Sequence, residues 1–189
     1  SRAGSTSTTN VTFNLAGINT APQAGDIVIH AMAIGAGSIS FPATPTGYTL
    51  ISQISSDDTY DSLLVVSYKV MGSTPDTTFP VPSSVSTVNS QMVLVFVWRG
   101  VDPKNPLDVT TQTSSGINGR LAFPPPITPV TENSIIMCIG ATAYSGSLYN
   151  FTYVGNLQGF LSTTGSDTYD GALGAGYYEW TSGTFTPNE

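Results

Sequence analysis

The feature that most restricts the fold of this chain is an internal repeat. The tetrad Asp58-Thr59-Tyr60-Asp61 recurs as Asp167-Thr168-Tyr169-Asp170, 109 residues on. Upstream, Asp26-Ile27-Val28-Ile29 matches Ser134-Ile135-Ile136-Met137 at a spacing of 108. Tyr68 falls on Tyr177, Phe79 falls near Phe185, and Val11-Thr12-Phe13 corresponds loosely to Leu121-Ala122-Phe123. Each half reads as strand, turn, long apolar strand, hairpin, acidic loop, long strand, short strand. A unit that cannot cover its apolar face alone covers it with its own copy. The expectation is one domain over 11–189 made of two half-units, about 11–108 and 120–189, related by a pseudo-twofold. The small polar residues 1–10 read as a flexible arm ahead of it.

Composition says what the half-units are made of. Only 9% of the 189 residues are charged, against about 25% in an average soluble domain. Two Lys, three Glu and five Gln cannot line the polar faces of several helices. Ser and Thr fill 49 positions, and 19 Gly and 13 Pro punctuate the rest. Strand-type runs are read at 11–14, 26–34, 49–53, 62–70, 77–81, 91–99, 120–123, 134–142, 151–154, 172–180 and 183–186. The expected fold is all-β, a jelly-roll-like two-sheet sandwich built from two pseudo-symmetric halves. The runs 91–98 and 134–139 are apolar without alternation, which places both in the middle of a sheet covered on two sides.

The repeat also leaves a place open. The first half continues into 91–99, whereas the second half reaches Glu189 before an equivalent strand. A shorter second half, a cut chain, or a strand from a neighbouring subunit or from the arm would each account for it. An unfilled place beside an apolar face is something natural sheets avoid. The arm leading into 11–14 is one expected donor, and an oligomeric or particle-bound state is the expected consequence.

Charge limits the partners. The chain is net −7, and its five basic residues, Arg2, Lys69, Arg99, Lys104 and Arg120, are scattered. Phosphate backbones are held by clustered Lys and Arg, so a nucleic-acid surface is excluded as an expectation. No apolar run reaches the ~18 residues of a membrane span. The lone Cys138 rules out an intrachain disulfide.

Few residues point to chemistry. His30 and Cys138 are repeat equivalents, and a pseudo-twofold invites a Cys–His dyad. Their apolar neighbourhoods favour plain core positions instead. The loops carrying Asp57, Asp58 and Asp61, and Asp167 and Asp170, offer carboxylates of the kind calcium takes. Their spacing matches no EF-hand, and solvated hairpin loops explain them without an ion. No nucleophile elbow, phosphate loop or dinucleotide fingerprint occurs, and no cofactor is expected. Aromatic residues crowd the second half. Tyr144, Tyr149 and Tyr178 are the candidates to stack on sugar rings or to form a protein contact. Asn10-Val-Thr12 and Asn150-Phe-Thr152 are glycosylation sequons.

Several motifs together carry a resemblance. They are Ala24-Gly25-Asp26, Pro45-Thr46-Gly47-Tyr48-Thr49-Leu50, Tyr68-Lys69-Val70, Trp98-Arg99-Gly100-Val101-Asp102-Pro103 and Asn105-Pro106-Leu107-Asp108. Over about 22–143 the chain resembles a β-sandwich module of tailed-bacteriophage virion proteins that also occurs in large bacterial surface proteins. The resemblance implies a structural component of a virion surface, either capsid decoration (cement) or part of a fibre or spike. Its partners would be other virion proteins or copies of itself, and no reaction is implied. A lectin-like module that binds a glycan is the alternative. Read physically, Trp98–Pro103 is a strand exit in which Arg99 and Asp102 are expected to pair.

Overall fold

The computed structural model describes residues 2–5, 13–14, 21–35, 41–56, 62–79, 90–116, 124–142, 158–165 and 171–187. Among them there is no helix. The strands are β1 (Arg2–Ser5), β2 (Phe13–Asn14), β3 (Ile27–Gly35), β4 (Thr49–Ser55), β5 (Ser62–Val70), β6 (Thr78–Phe79), β7 (Ser90–Trp98), β8 (Ile135–Thr142), β9 (Gln158–Gly165) and β10 (Gly171–Glu179). They form an all-β sandwich of two antiparallel sheets, ordered β1-β7-β3-β5-β4 and β8-β10-β9, with a small β2-β6 pair beside them.

The two halves are copies in detail. In the first, β3 pairs β5 with Ile27 opposite Val70 and Ile29 opposite Tyr68. In the second, β8 pairs β10 with Ile135 opposite Glu179 and Met137 opposite Tyr177. Shifting β3 by 108 and β5 by 109 turns one register into the other. The hairpins agree as well, because Ser55 opposite Leu63 becomes Thr164 opposite Ala172. Both outer hairpin strands carry one extra residue at the same point, between Leu50 and Ser52 in β4 and between Gln158 and Leu161 in β9. A bulge bends its strand and is kept for that reason, so a shared one marks true duplication.

The strand starts are copied too. Gly25 (φ 85°) and Asn133 (φ 64°) hold the same left-handed turn ahead of β3 and β8. One residue later, the Met71 N–H donates to the Asp26 carbonyl, and the Trp180 N–H donates to the Ser134 carbonyl. Only Gly, or Asn with its locally bonding amide, takes that backbone cheaply. The loose match of Phe13 with Phe123 involves a residue outside the described ones. Phe13 pairs with Phe79, while the partner of Phe185 is Ile127.

Side chains alternate across each strand, so the core falls into layers. The inner layer joins Ala31, Ala33, Met92, Leu94 and Phe96 of one sheet to Leu173, Ala175, Met137 and Ile139 of the other. A second layer covers the outer face of the five-stranded sheet, where Met71 and Phe79 pack on Val28, Met32, Val65 and Val95. The third repeats it on the other sheet, with Trp180 and Phe185 on Ile136. Trp180 and Phe185 thus stand where Met71 and Phe79 stand in the first copy. Each fully buried side chain of this kind contributes about 1.5–3 kcal/mol.

Two expectations are corrected. Residues 2–5 are not part of a loose arm: they pair with Gln91–Leu94 and extend the sheet that holds β7. Main-chain hydrogen bonds make that contact, so small polar residues serve. Among the described residues the apolar run at 134–139 does not lie in the middle of its sheet. Among the described residues β8 pairs with β10 alone. The runs at 120–123 and 151–154 lie outside the described residues.

Candidate functional site

The motif residues converge on one end of the five-stranded sheet. Asp26 is buried, and its carboxylate accepts from Arg99 Nε at 3.0 Å and Nη2 at 2.9 Å. It also accepts from the Gln23 N–H at 2.8 Å. These charge-assisted bonds, the Arg99 fork first, hold the Asp26 carboxyl below the usual carboxylate range against the opposing effect of burial. The same guanidinium donates to the Ala21 carbonyl at 3.3 Å. Asp102 is therefore not the partner of Arg99. It accepts from the Lys104 N–H at 2.9 Å and from Asn105 Nδ2, and closes its own turn. Gly100 (φ 83°) lets the chain turn between these two jobs.

A second clasp joins the halves. Asp108, the last motif residue, accepts from the Val130 N–H at 2.6 Å, from the Thr131 N–H at 3.2 Å and from the Thr131 hydroxyl. The Thr131 hydroxyl and these N–H bonds lower its pKa. Lys69 and Asp76 form a third pair, with the Lys69 ammonium 5.8 Å above the Tyr48 ring.

His30 and Cys138 do not meet. Both lie on the outward faces of their own sheets, His30 beneath the layer of Met71 and Phe79, and Cys138 beneath that of Trp180 and Phe185. His30 is 2% exposed, and burial pushes its pKa down to about 4. Its cross-strand neighbour is Ser67, and its ring lies 5.8 Å from that of Tyr48. His30 Nε2, Ser67 Oγ and Tyr48 Oη are buried with no hydrogen-bond partner among the described residues. Burial alone pushes the Cys138 thiol up to about 11. A thiol held neutral, on the opposite side of the sandwich from the imidazole, cannot form the dyad the repeat invites.

Of the candidate aromatic residues, Tyr178 is half-buried and packs on Phe185 with ring centroids 5.2 Å apart. Tyr144 and Tyr149 lie outside the described residues, as do Asp57, Asp58, Asp61, Asp167 and Asp170. Among the described residues no group of three or more His, Cys, Asp or Glu is placed to hold a metal ion.

What the sequence reading missed is the partial burial of β8. Of its residues Ile136 is buried, and Ile135, Met137, Cys138 and Ile139 are half-buried, with Met137 and Ile139 packed on the inner layer and Cys138 on the outer one. Trp98 sits near its start, donating its indole N–H to the Met137 sulfur at 3.1 Å and meeting Tyr177 edge-on at 5.0 Å. The expectation of an open place in the second half pointed toward this strand, but which neighbours it has depended on the pairing. No protein-family model, curated protein or solved structure matches the chain.

Proposed function

We propose that this protein is a non-enzymatic structural component of a bacteriophage virion, exposed on the particle as capsid decoration or as part of a fibre or spike. The observation that carries the reading is where the virion-type motif residues sit. Gly25, Asp26, Arg99, Gly100 and Asp108 are committed to clasping one sheet and tying the two halves together. A motif spent on the frame belongs to a module whose work is to be a rigid body in an assembly. Its partners in this reading are other virion proteins or further copies of itself.

Carbohydrate binding is the competing reading. Tyr178 gives it little support, because its half-buried ring is packed against Phe185. The experiment is mass spectrometry of phage particles purified from the source, with immunogold labelling by an antibody to this chain. Stoichiometric amounts relative to the major capsid or fibre protein, with label on the particle surface, are expected. Absence from particles, or glycan-array binding as the main activity, would overturn the proposal.

A further inference from the structure

The outer face of the five-stranded sheet carries polar atoms that the apolar layer over it does not serve. Along β3 the side chains of Val28, Met32 and Ile34 enter that layer, and His30 stands between them on the same face. Along β5 Leu63 and Val65 enter it, and Ser67 takes the next position on that face. His30 and Ser67 are directly opposite each other, a placement that brings side chains on one face together. They are 2% and 0% exposed. Val95 stands opposite His30 on its other side, and its side chain has nothing to donate or accept.

Tyr48 completes the group. It packs on the same layer from the stretch just ahead of β4. The residue is half-buried while its hydroxyl is fully buried, so the ring enters hydroxyl first. Its ring centroid lies 5.8 Å from that of His30, with the planes tilted by 59°. Lys69 and Asp76, the charged groups beside Tyr48, are taken up with each other. His30 Nε2, Ser67 Oγ and Tyr48 Oη are thus three buried polar atoms from three elements, none with a hydrogen-bond partner among the described residues. Leaving such an atom unpaired is costly, and native interiors pair nearly all of them. Burial keeps the imidazole neutral, so its Nε2 can donate or accept, as both hydroxyls can.

The second copy shows that the frame does not require these groups. There His30 and Ser67 correspond to Cys138 and Gly176, again directly opposite each other. The layer over them closes with Trp180 and Phe185, and Trp180 Nε1 has its partner in the Gly183 carbonyl at 2.8 Å. Unmet hydrogen-bonding capacity is gathered in the first copy instead. We propose that His30, Ser67 and Tyr48 form an internal binding site for one water molecule, which bridges the three side chains and fastens the stretch 41–48 to the outer face of the sheet. Water is the smallest molecule that both donates and accepts, and a buried one makes about three hydrogen bonds. A serine opposite a histidine also suggests a nucleophile, but these two are sealed from any substrate. The site stands whatever assembly the protein serves.

The test is a high-resolution crystal structure of the intact chain at neutral pH, joined to oxygen-17 relaxation dispersion of its water in solution. The expected density is a single peak at ~2.7–3.2 Å from His30 Nε2, Ser67 Oγ and Tyr48 Oη. The dispersion counts waters held for long times inside the protein. Putting the second copy's residues into the first, His30→Cys with Ser67→Gly, should lower its amplitude by the equivalent of one water. Tyr48→Phe should shorten the residence of that water, since one of its three bonds is lost. The proposal is overturned if the three side chains bond one another directly, if the space between them is dry, or if the density belongs to a molecule larger than water. An unchanged dispersion in the doubly substituted chain, with a folded NMR spectrum, also overturns it. The crystal structure of the unsubstituted protein decides the first three outcomes, so the result does not depend on a variant folding.

Discussion

His30 is the residue whose environment has the clearest consequence. Burial lowers its pKa from 6.5 to about 4, so the unfolded chain takes up a proton before the folded one does. Its contribution is complete above pH 6.5 and declines as pH falls toward 4. Over that window the loss amounts to about 3 kcal/mol. Asp26 adds to it lower down. Its folded pKa lies below 3.8, so the stability it gives is present above that value and is lost as pH falls further. Urea denaturation at a series of pH values should show the decline between 6.5 and 4, and His30→Leu should flatten that part of the curve alone. The left-handed pair makes a second residue-scale prediction. Asn133→Gly should be neutral or mildly stabilising, whereas Asn133→Val should cost about 1–2 kcal/mol, because a β-branched side chain resists that backbone. Gly25→Ala meets no neighbouring atom and should still cost about 1 kcal/mol for the same reason.

At the scale of elements, the strands with long apolar runs were legible and those held by backbone alone were not. β3, β5, β7, β8 and β10 lie within a residue of their expected bounds, because burial and β-branching dominate them. β9 was missed: Gln158–Gly165 mixes Gly, Ser and Thr, and its place is set by pairing with β10. β1 was missed for the same reason. The Asp26–Arg99 pair was not legible either, since 73 residues separate its members and Asp102 stood nearer in sequence. The repeat itself was legible, and it predicts energetics. Phe79 and Phe185 close equivalent outer layers at 0% and 8% exposure. Phe79→Ala should cost about 3–5 kcal/mol and Phe185→Ala somewhat less, measured by chemical denaturation, because the first leaves a sealed cavity and the second a site open to water.

At the scale of the whole molecule, each sheet is built from one half of the chain, and the inner layer is where they meet. Between β7 and the start of the second half, residues 101–116 form no strand and are exposed or half-exposed throughout. Asp108 fastens this stretch to Val130 and Thr131. Such an arrangement is a hinge between two interchangeable slabs. Nothing in the inner layer distinguishes a slab of the same chain from the identical slab of another, and only the shortness of the tether favours the former. Refolding at high concentration should therefore yield some domain-exchanged dimers with an unaltered core. Asp108→Ala should raise their share in size-exclusion chromatography by freeing the tether to swing, whereas shortening 109–116 should leave exchange as the easier way to bring two slabs together.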